Sequence, residues 1–302
     1  MTEIGGHDFN WLYQNKIYPD LHTAETVRKK ILLNYSIIGT VALAGFIVEA
    51  MTWMLIGVGV IILFIILYTR WYSIPVSRFE KLYTDAISNN LVSFISSALQ
   101  IDRNSHISLS ELQHAMIISG TPKNFGGHYL VHGELNGVPL RISEINSETK
   151  MISESGEENR HQYFNGLVAI ANLPLQMKEP ILISSGEQIE KNLSSLTGKI
   201  KISDEPGNEL VVYTADENSY RKYISESLTE KLQEYIRTTH NNIIFSVYSG
   251  GLSLAISQHK TFQYLSPSVF KSSYTKQQAE NYYRDLNFLV ETILIAAGSV
   301  NK

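Results

Sequence analysis

The stretch "HYLVHGELNGVPLRISEI" (128–145) decides how the second half of the chain folds. Alternating segments flank Asn136-Gly137, and a two-residue type I′ turn needs positive φ at both central positions, which Asn and Gly tolerate. Such a loop pairs Leu135 with Val138, Gly133 with Leu140, Val131 with Ile142 and Tyr129 with Glu144. The first three pairs are apolar or small, so this is the core face. Glu144 stands at its end beside Tyr129. A carboxylate there is either a functional group with a raised pKa or a rim group bonded to a hydroxyl or a backbone donor. His132 falls opposite Arg141 on the other face, which reads as solvated.

Downstream, "SETKMISESGEENRH" (147–161) is polar and without period, and predicts a mobile loop. "YFNGLVAIANL" (163–173) restores strand character, Pro174 and Pro180 bracket a turn, and "ILISS" follows as a short strand. A strand over 210–214 leads to Asp216 as an N-cap. Ser227 with Glu230 forms a capping-box pattern that opens a helix over 228–239. "IIFSVYSGGLSLAIS" (243–257) predicts a second hairpin with Gly250-Gly251 at the turn. Tyr282, Leu286, Leu289 and Ile293 lie on one side of a long amphipathic helix over 274–296. Upstream, Phe79, Leu82, Tyr83, Ala86 and Ile87 form the apolar stripe of a helix over 76–99. Hairpins with helices between them make residues 72–302 an α+β domain: a mostly antiparallel sheet with flanking amphipathic helices.

Between Ile31 and Thr69 the sequence carries one charge, Glu49. A single helix over that run would be roughly 58 Å long, against about 30 Å of hydrocarbon. Folding it at Glu49 gives two arms, 31–48 and 52–69, each about 27 Å, and predicts a two-helix transmembrane hairpin. Arg28, Lys29 and Lys30 before it and Arg70 after it then place both termini in the cytoplasm, with Trp53 and Trp71 as interfacial anchors. Residues 1–30 read as a cytoplasmic helical segment. Phe9, Leu12, Tyr13 and Ile17 lie near helical spacing, and Pro19 interrupts them.

Net charge is −4 and the pI about 6.1, which points to no nucleic-acid partner. The chain has no cysteine, so disulfides and thiol catalysis are excluded. His128 and His132 on one strand face would stand about 13 Å apart, too far to share an ion. The glycine pairs in "NFGGH" and "SGGLS" lack the lysine and following helix of a phosphate loop. No metal or cofactor is implied.

In order and spacing, "IYPDLHTAETVRKK", "HGELNGVPLRISEI", "YFNGLVAIAN", "VVYTADENSYRKYISESLTEKLQEY" and "IIFSVYSGGLSLAIS" resemble a bacterial family known only as domain of unknown function 3137. The resemblance implies an integral protein of the bacterial inner membrane with two N-terminal spans and a cytoplasmic α+β domain. It implies no activity and no catalytic residue. The leading functional reading is a membrane-anchored binding or scaffolding module. It would recruit a protein or lipid partner at the bilayer. The alternatives are a membrane-tethered enzyme using Tyr129, Arg141 and Glu144, or a subunit of a membrane complex.

Overall fold

In the computed structural model the turn at 136–137 has the backbone its residues favour, with φ of +53° at Asn136 and +79° at Gly137. The structure describes residues 9–51, 62, 65–66, 68–118, 120–152, 158–185, 199–201, 210–215, 217–257, 265 and 267–300. Helices α1 (Phe9–Leu12), α2 (Tyr18–Met51) and α3 (Ile74–Ile95) come first. Strand β1 (Leu99–Asp102), helix α4 (Leu109–His114), the hairpin β2 (Asn124–Leu135) and β3 (Val138–Ile152), and β4 (Glu158–Asn172) follow. Then come β5 (Ile181–Ser185), β6 (Lys199–Lys201), β7 (Leu210–Tyr213), α5 (Glu217–Tyr223), α6 (Glu226–Thr239), β8 (Asn242–Tyr248), β9 (Gly251–Ser257) and α7 (Lys276–Val300). The chain divides into two compact units, residues 1–94 with 264–281 and residues 95–263 with 282–302.

In the second unit the described strands form one antiparallel sheet in the order β1-β2-β3-β4-β9-β8-β5-β7-β6. One face buries Ile145, Phe164, Val168, Ile170, Leu182, Ile244 and Tyr248 against Ile107, Leu112, Ala115 and Ile118, which lie around α4. The other carries Ile142, Leu167, Phe245, Val247, Leu254 and Ile256, all buried. Buried on α6 and α7 are Leu228, Leu232, Leu286, Leu289 and Ile293.

Serines within the buried strands hold α4 in place. Ser246 of β8 donates to the Ala115 carbonyl at 2.7 Å and accepts from the hydroxyl of Ser253 across on β9, also at 2.7 Å, which leaves Ser253 Oγ 3.3 Å from the same carbonyl. Ser143 Oγ accepts from the Ile107 amide at 3.2 Å. The Ser246 and Ser143 hydroxyls thus answer backbone groups that α4 and its approach would leave unsatisfied. A capping box between Ser108 and Glu111 starts the helix.

Several sequence expectations move. The polar run 147–161 is not all loop, because β3 continues to Ile152 and pairs with β4 back to Glu158. Cross-strand pairing satisfies its backbone where side-chain pattern gives no hint. Helix α6 opens at Ser225, whose hydroxyl accepts from the Leu228 amide, two residues ahead of the expected Ser227. The turn of the second hairpin is Ser249-Gly250, with Gly251 paired to Tyr248. Asp216, the expected N-cap of the preceding helix, lies outside the described residues.

The largest correction concerns the apolar run. Among the described residues no helix is long and apolar enough to cross a membrane, so the transmembrane hairpin, its two spans and the localisation drawn from them are not supported. Helix α2 runs from Tyr18 through Glu49 to Met51, and Glu49 is helical rather than the apex of a turn. The expected first span is part of this longer helix, whose leading half is polar, and Leu33, Tyr35, Ile37, Val41 and Leu43 on it are exposed. Ile31 and Ile38 are buried, and Tyr35 meets Phe270 edge-on at 5.9 Å. The second expected span, 52–69, and Trp53 lie mostly outside the described residues.

Within the first unit, Phe9, Leu12, Tyr13, Ile17, Leu21, Phe79, Tyr83, Ile87 and Leu91 are buried. A π-helical turn, Tyr13–Ile17, joins α1 to α2 ahead of Pro19. Widening the helix there relieves the clash a proline makes with the preceding turn, so the helix continues where the sequence suggested a break. Arg28 donates to both Glu25 oxygens, at 2.8 and 2.6 Å, and to the Val269 carbonyl at 2.9 Å. Glu25 also accepts from the Ser273 amide at 2.9 Å. Together they clamp residues 269–273 onto α2.

The Arg28 hydrogen bonds hold the Glu25 carboxyl down to about 2, outweighing burial. An unfolded glutamate titrates at about 4.3. The clamp's contribution is therefore complete above that pH and is lost as pH falls from there toward 2. We expect acid to remove roughly 2 kcal/mol through this group, and Glu25→Gln to flatten the pH dependence of the melting temperature in that window. Equal slopes for the two proteins in calorimetry would refute the assignment.

Candidate functional site

The site grows from an irregularity in β2. From Leu135 back to Val131 the hairpin keeps the expected register, Val131 opposite Ile142 and His132 opposite Arg141. The register then shifts between His128 and Val131, and Tyr129 takes a left-handed φ of +57°. A bulge inserts one extra residue and turns the rest of the strand over. His128, not Tyr129, therefore lies opposite Glu144, with Gly126 opposite Asn146 and Asn124 opposite Glu148. His128 and His132, expected on one face, fall on opposite faces.

Past the bulge one face of the hairpin changes character. Val131, Gly133, Leu140 and Ile142 give way to Asn124, Gly126 and His128 facing Glu148, Asn146 and Glu144. Asn165 of β4 extends the row beside Asn146. A cleft of about 510 Å³ opens over the β2 and β3 members of the polar row, Asn124 to His128 and Glu144 to Glu148, lined also by Asn104, His106, Phe125 and Gly127. Phe125 and Gly127 alternate with the polar row, so the cleft draws on both faces of β2 and wraps its edge. Strand β1 pairs with β2 only from Leu130 to Gly133. Among the described residues, Asn124–His128 pair with β3 alone.

The two glycines have separate roles. A side chain at Gly127 would collide first with the Glu144 carbonyl oxygen of β3 and then meet the His106 Cβ at 2.8 Å, so glycine lets both β3 and the loop from β1 pass close, where His106 packs on Phe125 at 5.5 Å. Nothing lies within 4 Å of where a Cβ of Gly126 would stand. Gly126 is a notch in the cleft floor.

Glu144 is buried at 4% exposure. Burial, then the nearby Glu144 and Tyr129, push the Tyr282 phenol of α7 far above its usual range. The phenol stays protonated, a neutral neighbour for the carboxylate. Arg141 takes no part. It lies on the α4 face, ion-paired with Glu111 at 2.6 Å. Burial raises the Glu111 pKa, but the Ser108 hydrogen bonds and Arg141 outweigh it and hold the carboxyl below its usual range. Of the three candidates read from sequence, Glu144 lines the cleft, Tyr129 sits in the bulge, both near enough to act on the Tyr282 phenol, and Arg141 lies on the other face. Among the described residues no three His, Asp or Glu side chains gather as a metal site. Of the expected anchors, Arg28 is in the Glu25 clamp, and Lys29, Lys30 and Arg70 are exposed. Trp71 lies in a second π-helical turn, Thr69–Ser73.

Sequence reading missed His106, Asn146 and Glu148, and weighed His128 only as a metal ligand beside His132. Their one signal was the run of polar residues at alternate positions, and a one-residue bulge hides which face they share.

Residues 162–294 match a family model described as Protein of unknown function (DUF3137). The chain resembles that family there. No curated protein and no solved structure matches it. The DUF3137 match starts within β4 and ends in α7, so Asn165 and Tyr282 fall inside it. The β2–β3 hairpin and the residues that line the cleft precede it.

Proposed function

We propose that the α+β unit is a recognition module that takes an extended segment of a protein partner along the free edge of β2. One observation carries this reading: among the described residues, Asn124–His128 have a neighbour strand on one side only, and the cleft lies along the other. An unpaired edge presents backbone donors and acceptors in register for an added strand, and the pockets beside it select side chains. The strand pairing with β1 stops at Leu130, and at the bulge the loop after β1 takes the Tyr129 and Leu130 amides on the Arg103 and Ser105 carbonyls, at 3.1 Å each. The hydroxyl, cation and carboxylate of an enzymatic alternative are not assembled, since Arg141 is on the opposite face with Glu111.

The test is selection of a random decapeptide library on the full-length chain. Recovered peptides should slow amide exchange at residues 124–128. Gly126→Val should weaken them at least about tenfold, a loss of about 1.4 kcal/mol, because it fills the notch. The substitution fits the free protein, since the space is open, so its melting temperature should hold. An empty selection, or peptides indifferent to Gly126→Val, overturns the reading.

A further inference from the structure

Resting on that reading, we infer that the segment bound at the β2 edge presents a lysine or arginine, which crosses the Gly126 notch to lie between Glu144 and Glu148. The geometry of an added strand leads there. Strands in a sheet lie about 4.8 Å apart, so a strand beside β2 runs about 9.6 Å from β3. A side chain level with Gly126 and on its face meets no side chain on β2 and points across to Asn146. Glu144 and Glu148 stand two residues to either side of Asn146 on that face of β3, roughly 6.7 Å away along the strand. Short or branched side chains cannot cross the gap. A long unbranched stem with a cationic head can, and its stem lies over the glycine.

Charge points the same way. The cleft is lined by two carboxylates, and among the described residues no Lys or Arg lines it. A cation placed there gains charge-assisted hydrogen bonds from the carboxylates, with the amides of Asn124 and Asn146 to fill its remaining donors. Glu144 is already desolvated in the free protein, so less water is displaced from it on binding than from a surface carboxylate. An acidic segment would bring like charges together and be refused.

The library selection separates this inference from the reading it rests on. Recovered peptides should share one lysine or arginine within an otherwise extended, β-prone sequence. Replacing that residue by norleucine, which keeps the stem and removes the charge, should weaken binding about tenfold. Glu148→Gln, at a half-buried position, should produce the same loss for the lysine peptide and none for the norleucine peptide. Glu144→Gln is the second variant, read in the same two-peptide comparison. Peptides that are blocked by Gly126→Val yet share no basic position would overturn the inference and leave edge recognition standing. Loss of affinity in Glu148→Gln that is equal for both peptides would also overturn it.

Discussion

Replacing Gly166 by valine is expected to leave no cooperatively folded sheet. Gly166 sits in β4, opposite Ser257 of β9 and Ile145 of β3. A Cβ there would collide with the Ile256 carbonyl oxygen and lie 2.9 Å from its carbon. Both atoms are backbone, so no rotamer relieves the clash. The two central strands must part, and every pair from Gly166–Ser257 to Asn172–Gly251 is weakened with them. A loss above about 4 kcal/mol is expected, in the range seen only for named structural insults. Gly166→Ala should already cost much of it. Gly126→Ala is the control, because the space above Gly126 is open, and it should move stability by less than about 0.5 kcal/mol. Denaturant titration of the three proteins decides. A folded, near-native Gly166→Val protein would mean that β4 and β9 do not pair as described.

The second large effect is expected at Tyr235. Its ring stacks on Phe288 of α7 at 3.7 Å, and its hydroxyl donates to Asp285 Oδ1 at 2.8 Å while accepting from Asn241 at 3.2 Å. Asp285 is fully buried and also accepts from Arg284 at 3.0 Å. Burial and the Asp285 charge push the phenol pKa well above its usual range, so Tyr235 remains a donor at any ordinary pH. Tyr235→Ala removes ring and donor together and should cost about 3–5 kcal/mol. Tyr235→Phe keeps the stack and leaves the buried carboxylate one donor short, for about 1.5–3 kcal/mol. Adding Asp285→Asn should recover part of the Tyr235→Phe loss, because a neutral amide is less costly to bury than a charge. Additive losses in that double-mutant cycle would show that the pair is not coupled.

Local sequence carried much of the fold. Asn136-Gly137 specified its turn because few residues tolerate positive φ at two successive positions. The stripes of α3 and α7 were legible because burial repeats with the helical turn: Phe79, Tyr83 and Ile87, then Tyr282, Leu286, Leu289 and Ile293, are all buried. Leu252, Leu254 and Ile256 named the inner face of β9 by the same logic at period two. In the site, Glu144 stood out as a carboxylate at the end of an apolar face, and it is buried in the cleft wall.

Other features depend on contacts distant in sequence. Residues 147–152 become strand because 158–164 lie beside them, and a polar strand has no local signature. The bulge at Tyr129 reverses the face of everything before it, so Arg141 was grouped with Glu144, and His128 with His132, by a parity that one inserted residue breaks. The apolar run from Ile31 suggested lipid because hydropathy records what a segment avoids, not what covers it. In α2, Ile31 and Ile38 are covered by protein, whereas Leu33, Ile37, Val41 and Leu43 are exposed.

The sequence by itself determined the α+β class, both hairpins and the helix stripes, since turn chemistry and hydrophobic period act within a few residues. Tertiary structure alone decided the strand order, the bulge and the open edge of β2. Those follow from which distant segments compete to pair with a strand, and that competition is settled only when the whole sheet has formed.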